Sequence, residues 1–469
     1  MNRPDPAQWM RWHDMLVQGR SRAGTEGGRV LVSLSLMCEP FDALACVAVS
    51  ESHGFPYALF ESRDPDRVLF GLGQGCELRC EPQASLSGLA GRWRQWLESA
   101  IKEGPSGPLV MGGARFDTAS WQDPHWMDFP QAVMTLHPVQ WLQEPNGSYL
   151  LLQAWVGADS DVNALLDEQK TFFDALGKPV PLPETVAERQ GCDASSMPAA
   201  QWQGAVGKAV ESIQRGELHK VVLARHVLRR HSAPVAVAAL LRRLRQRNAS
   251  AHLFAIRRGQ SCFLGATPER LAHLQNGVVN THALAGTAAR GADEATDRDL
   301  GQALMTSPKE RAEHDLVVRS IRQGLERLGA VVQAADAPEL RRMPTLQHLS
   351  TPIQADLGRQ LGVLEVIEQL HPTPAVAGSS REQALAFIRR HEGLDRGWYA
   401  GPVGWMNDQD EGDFVVALRS VLVRGSDAYL FAGCGVVADS LPQSEYQETC
   451  LKLSGMFNAL QAALEVAPA

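Results

Sequence analysis

Long apolar runs are missing from this 469-residue chain. No stretch approaches the roughly 18 consecutive apolar residues that a membrane-spanning helix needs, which argues against a membrane protein. The first residues, Met1-Asn2-Arg3-Pro4-Asp5-Pro6, lack an apolar signal core, so the expected location is the cytoplasm. Positive charge is not in excess either. The net charge of −8 argues against nucleic acid or an acidic membrane surface as partner. Cysteines number eight, and only Cys76 and Cys80 lie close together, with no second pair to complete a zinc site. Free thiols in a chain without a secretion signal are the expectation. Internal repeats and low-complexity tracts are also absent.

What remains is ordinary globular material, with 44% hydrophobic and 21% charged residues, enough for one large domain or two to three smaller ones. Strand-like segments at 30–37, 46–50, 57–61, 68–71, 131–137 and 149–156 alternate with turns and with helical patterns at 85–101 and 161–176. A Pro145-Asn146-Gly147-Ser148 turn is expected to join the last two strands. Few titratable residues gather here, so residues 1–195 read as scaffold. The best linker is 186–199, and residues 196–469 read as the catalytic half, unless the two halves intertwine as one domain. Beyond it a helix at 199–215 ends at Gly216, and a β-branched strand occupies 219–228. Further helices are expected at 234–246, 307–328 (capped by Ser307-Pro308), 383–391 and 444–464. Strands are expected at 253–256, 261–265, 413–422 and 428–432. Sheets and helices without regular βαβ alternation predict an α+β fold, a layered sandwich. The basic clusters at 225–230 and 241–247 read as a strand end and an amphipathic helix rather than a binding patch.

Chemistry concentrates in the last third. Lys220 opens the strand Lys220-Val221-Val222-Leu223-Ala224-Arg225, where an apolar neighbourhood would favour an uncharged amine able to act as a base. The competing reading is a strand-end lysine reaching solvent. Glu269 follows Thr267-Pro268 on a rigid turn, either as a presented acid or as a surface partner of Arg270. Glu313 and His314 sit mid-helix in a charge-dense segment that would ordinarily be solvated. Glu445, Glu448 and Lys452 share one face of the last helix, and two helices offering carboxylates would suit Mg²⁺. Arg419, expected within a strand, needs an anionic partner. Gly433-Cys434-Gly435 reads as a tight turn by default, or as backbone N–H groups offered to a carboxylate.

The segments K-V-V-L-A-R, G-A-T-P-E-R-L, A-L-A-G-T, H-P-T-P-A, Y-A-G-P-V-G-W, A-L-R-S and E-x-x-E-T-x-x-K, in this order over about 196–465, resemble the chorismate-utilising enzyme family. Gly112-Gly113-Ala114-Arg115-Phe116-Asp117 and Asp128-Phe129-Pro130 extend the resemblance into the first half. The resemblance implies two large, mostly antiparallel sheets with helices outside, a cleft between them and Mg²⁺ dependence. It points to the isochorismate-forming branch by three positions. Lys220 stands where ammonia-using members carry glutamine. Ala285 stands where aminodeoxychorismate synthases carry a nucleophilic lysine. Ala375 stands where salicylate and anthranilate synthases tend to carry a threonine linked to pyruvate elimination. The wording is most like siderophore-type synthases feeding salicylate, with menaquinone or catecholate pathways as other consumers.

Asp413 departs from a more usual glutamate, and residues 376–380 from a glycine–proline turn. Carried over residue by residue, the resemblance implies Lys220 as base and Glu269 as acid. It implies Mg²⁺ on Glu313, Glu448 and Glu445. Arg419, Tyr399, Gly433 and Gly435 would hold the enolpyruvyl carboxylate. Gly286, Thr287, His348, Ala375 and Lys452 would line the substrate pocket. Chorismate is the implied small-molecule partner, taken up by a monomer. A bifunctional salicylate synthase is the nearest rival, followed by an anthranilate or aminodeoxychorismate synthase component and a non-catalytic chorismate-binding protein.

Overall fold

A computed structural model describes residues 3–80, 85–119, 122–178, 180–182, 193–343, 346–358 and 361–461. Two sheets dominate it, one of 13 strands and one of 10. The larger runs from Lys220–Arg230 through Asp427–Val436, Ser420–Arg424, Ser261–Thr267 and His252–Arg258 to Tyr57–Arg63 and on to Arg29–Cys38. The smaller runs from Leu346–Asp356 through Val278–Ala289, Arg270–Gln275 and Gly412–Val416 to Pro402–Asn407 and Leu109–Ala114. Neighbouring strands are antiparallel apart from Arg29–Cys38 beside Ile101–Glu103. The α+β sandwich expected from the sequence is therefore the observed fold, and strands from before residue 195 and after residue 196 share both sheets.

The strands read as continuous apolar runs because both faces of the larger sheet are buried. Phe254 and Ile256 point into the core between the sheets, while Leu253 and Ala255 point into a second core under outer helices. Helices Pro6–Glu26, Ala43–His53, Val162–Leu176 and Val237–Arg247 contribute Trp12, Leu44, Phe172 and Leu240 to that second core. Helix Pro308–Arg327 lies instead on Val278–Ala289 of the smaller sheet, and helix Pro442–Leu460 on Asp427–Val436 of the larger.

Several local expectations are corrected. Residues 46–50 are not a strand but part of the helix Ala43–His53, started by the Asp42 side chain on the Leu44 and Ala45 N–H groups and ended by Gly54. A short apolar run carries no period that separates the two states; the caps decide. Strand Val139–Glu144 was missed, and the Pro145-Asn146 turn joins it, not 131–137, to Gly147–Gly157. The expected linker falls partly outside the described residues, at 186–192, and so does Cys192; its remainder is tied down, with Ala194–Ser195 paired to the Lys220 strand and Asp193 bonded to Arg229 at 2.8 Å. Of the seven described cysteines, Cys46, Cys262 and Cys434 are buried. The basic clusters are structural: Arg225 bonds Thr449, and Arg243 bonds the Ala459 carbonyl.

Candidate active site

The chain crosses from one sheet to the other twice in neighbouring places, and each crossing carries a charged residue. Strand Ser261–Thr267 of the larger sheet gives way to Arg270–Gln275 of the smaller, with Pro268-Glu269 between. The expected single strand at 413–422 is two strands in different sheets, Gly412–Val416 and Ser420–Arg424, with Ala417-Leu418-Arg419 between. Arg419 is thus not a strand residue; its φ of 49° is left-handed, a conformation that non-glycine residues adopt rarely and often at functional sites. The alternating apolar residues on both sides gave no local sign of the crossing. Both crossings open onto one cleft of about 130 Å³.

Glu269 is buried, and its turn is fixed by Thr267, whose hydroxyl accepts the Glu269 N–H and donates to the Val416 carbonyl. Burial pushes the Glu269 carboxyl up to about 7, against the opposing charges of Lys220, Lys452 and Arg341. The surface pair with Arg270 does not exist: Arg270 is bound by Asp413 at 3.0 and 3.1 Å, both buried.

Lys220 is 1% exposed, so it does not reach solvent. Its neighbourhood is not purely apolar, because Nζ donates to Glu313 Oε1 at 2.7 Å. The pair lies directly under Gly435, where a Cβ would stand 3.0 Å from Lys220 Cε and 3.3 Å from the Glu313 carboxylate. Glycine there leaves the space the pair occupies. Burial works to raise the Glu313 carboxyl, but Lys220 overrides it and holds it below the ordinary value. Glu313 therefore does not belong to a solvated face, and its neighbour His314 is fully buried on Thr351 at 2.7 Å.

Gly433 and Gly435 lie within strand Asp427–Val436, opposite Ala224 and Val222, not in a turn. The Gly433 carbonyl turns to Lys452 Nζ at 2.9 Å, away from the Lys220 strand. N–H and C=O of one strand residue share a side, so the Gly433 and Gly435 N–H groups face that same edge. Tyr399 stacks on Phe431, ring centres 5.1 Å apart, and burial raises its hydroxyl pKa. Gly286 adopts φ 76° at a bulge in Val278–Ala289. His348 Nδ1 donates to the Gly286 carbonyl at 3.1 Å and lies 3.2 Å from the Thr287 hydroxyl. Burial lowers its pKa to about 3, so it is neutral, and Nε2 remains an acceptor with no partner among the described residues. Ala375 lines the cleft beside Val376.

Carboxylates enter from two helices, Glu313 from Pro308–Arg327 and Glu445 and Glu448 from Pro442–Leu460. The sequence reading missed Glu310, one turn before Glu313, whose Oε2 accepts the Thr287 N–H at 3.3 Å. The i, i+3 spacing from Glu313 was the available signal. Burial raises the Glu310 carboxyl, aided by the charges of Glu313 and Glu448, and Glu445 is raised likewise by burial and by Glu448. Lys452 neutralises Glu448 at 2.6 Å. Among the described residues no three such side chains stand ready as a metal cage. Still, the donor set is all carboxylate oxygen and crowded with like charge, which suits a hard divalent cation holding few protein ligands.

A family model described as chorismate binding enzyme matches residues 18–461. The chain is 42% identical over 436 residues to a salicylate biosynthesis isochorismate synthase of Pseudomonas aeruginosa, covering 92% of this chain and 90% of that one. It is 36% identical to the isochorismate synthase MenF of Bacillus subtilis, covering 77% of each. Among solved structures, the menaquinone-specific isochorismate synthase MenF of Escherichia coli superposes with a TM-score of 0.79 at 28% identity, covering 95% of this chain and all of that one.

Proposed function

The chain belongs to the chorismate-binding enzyme family, and we propose that it is an isochorismate synthase, converting chorismate to isochorismate by adding water at ring C2 as the C4 hydroxyl leaves. The observation that carries this reading is a buried carboxyl, Glu269, raised to about 7, and a buried amine, Lys220, contributing to the electrostatics of one cleft. Water is a poor nucleophile and hydroxide a poor leaving group, so the reaction needs a base and an acid at once. Lys220 takes the proton of the incoming water. Glu269 gives its proton to the departing hydroxyl, and the ring double bonds shift between the two carbons. As an ammonium paired with Glu313, Lys220 has no lone pair, so it acts as the base only after giving up its own proton.

Arg419, Tyr399 and the Gly433 and Gly435 N–H groups hold the enolpyruvyl carboxylate. Gly286, Thr287 and His348 shape the ring pocket, and Lys452 balances charge beside Glu448. Glu313 and Glu448, with Glu445, are the residues that would hold Mg²⁺, which when bound supplies a hard positive partner for the ring carboxylate. The same reading has the protein acting as a cytoplasmic monomer.

Purified protein with chorismate and Mg²⁺ is expected to yield isochorismate without pyruvate by chromatography; recovery of chorismate alone would end the reading. Glu448→Gln should raise the Mg²⁺ concentration for half-maximal rate at least tenfold or abolish activity, roughly the loss of one charged ligand. An unchanged metal titration would remove Glu448 from the ligand set. Ala375→Thr should divert part of the product to salicylate and pyruvate. If that variant makes isochorismate only, residue 375 does not control the elimination here.

A further inference from the structure

A buried ion pair at the edge of the cleft has no part in the chemistry above. Glu392 and Arg396 are each 3% exposed. Arg396 meets the Glu392 carboxylate at 2.7 and 2.5 Å. Its remaining N–H groups donate to two main-chain carbonyls, Val376 at 2.8 Å and Val222 at 2.8 Å. The guanidinium lies over the Phe116 ring, 4.1 Å from its centre, and Glu392 accepts the Ala224 N–H at 2.8 Å. Burial works against the Arg396 charge, and Glu392 more than restores it.

The two bridged carbonyls belong to the two walls that matter most. Val222 shares a strand face with Lys220, two residues away. Val376 follows Ala375 in the loop that runs beside that strand, and Val222, Val376 and Arg396 all reach the cleft. Backbone pairing already joins the strand to the residues just beyond Val376: Val222 N–H bonds Ala377 O at 2.9 Å, His219 N–H bonds Ser379 O at 3.3 Å, and Gly378 and Ser379 pair with Val221 and Lys220. That pairing holds residues 377–379, and Arg396 adds the tie at Val376, next to Ala375, where a planar guanidinium with a fixed fork sets spacing and angle together. Burying two full charges is a costly way to add mere cohesion, since apolar side chains of similar volume serve that purpose as well or better.

We infer that Arg396 is a positioning residue, a rigid spacer that fixes the Ala375 loop against the Lys220 strand and so sets where the substrate ring lies relative to the base. This rests on the proposed isochorismate synthase activity for its kinetic consequence, but not for its structural one. Arg396→Lys keeps a charge for Glu392 but cannot span both carbonyls. Its kcat should fall about 30-fold, within the roughly 100-fold that a misplacement of about 1 Å can cost. The dissociation constant for chorismate should stay within threefold, because Arg419 and Lys452 are untouched. Glu392→Gln, which leaves the spacer its two carbonyls, should retain at least a third of the wild-type kcat. Should Arg396→Lys not fold, the double variant Arg396→Gln with Glu392→Gln removes both buried charges and should be equally slow.

Amide hydrogen exchange reports independently of activity. Peptides covering 371–377 and 220–224 should exchange at least tenfold faster in the slow variant, with the remainder of the larger sheet unchanged. Unaltered exchange in those two peptides overturns the spacer, whether or not the protein turns over chorismate. So does a kcat within threefold of wild type, or a rate loss matched by a lower stoichiometry of chorismate binding. An inactive wild type with the expected exchange pattern would instead refute the isomerase reading and leave the spacer standing.

Discussion

Lys220→Met is expected to lower isomerisation by about 10³- to 10⁴-fold, the upper range for loss of a general base. Methionine fills most of the volume of this 1% exposed side chain, so the cleft wall should keep its shape. Chorismate should still bind, because Lys220 lies beneath Gly435 rather than among the anchoring cations. Lys220→Arg should be equally inactive: a guanidinium retains its proton throughout the working pH range and cannot accept another. The neutral variant also leaves the Glu313 carboxylate without its 2.7 Å partner in a buried setting, so some loss of thermal stability without metal accompanies the kinetic one. Single-turnover rates, with binding followed by tryptophan fluorescence, separate these effects. Turnover within tenfold of wild type would remove Lys220 from the base role.

Glu269→Gln is expected to cost about 10²- to 10⁴-fold in rate, since an amide can donate a hydrogen bond but not a proton. The pH profile carries the sharper signature. The acid must be protonated, and its pKa in the free protein is about 7, so kcat/KM of the wild type should decline tenfold per pH unit on the alkaline side of about 7. The residual activity of the Gln variant should lack that limb. Stability should fall over the same pH range. A carboxyl whose folded pKa is raised binds its proton more tightly in the native state than in the unfolded chain. Its contribution is therefore full below the ordinary carboxyl range and is lost as pH rises through about 7. At pH 8 Glu269→Gln should be the more stable protein, by at most on the order of 3 kcal/mol. Equal denaturation midpoints at pH 8, with a persisting alkaline limb, would show that the group titrates elsewhere.

Much of this was legible locally. Amphipathic periods, the Ser307 cap and the β-branched runs located most helices and strands, because each depends on contacts a few residues apart. The ordered motifs marked the cleft residues and the family. Legibility failed where burial on both faces erased the alternation on which strand reading depends. Residues 413–422 look like one strand yet leave one sheet for another at Arg419. Residues 46–50 look extended and are helical.

By itself the amino-acid sequence determined which side chains can exchange protons or hold charge, and the layered α+β class, since side-chain chemistry and short-range periodicity are local properties. Only the tertiary structure decided what those groups do to one another. Lys220 meets Glu313 across 93 positions of chain, Val222 and Val376 meet through Arg396, and Glu269 is raised because the sheet crossing buries it. Such partnerships arise from packing two sheets face to face, and the strength of a charge depends on how much water that packing removes.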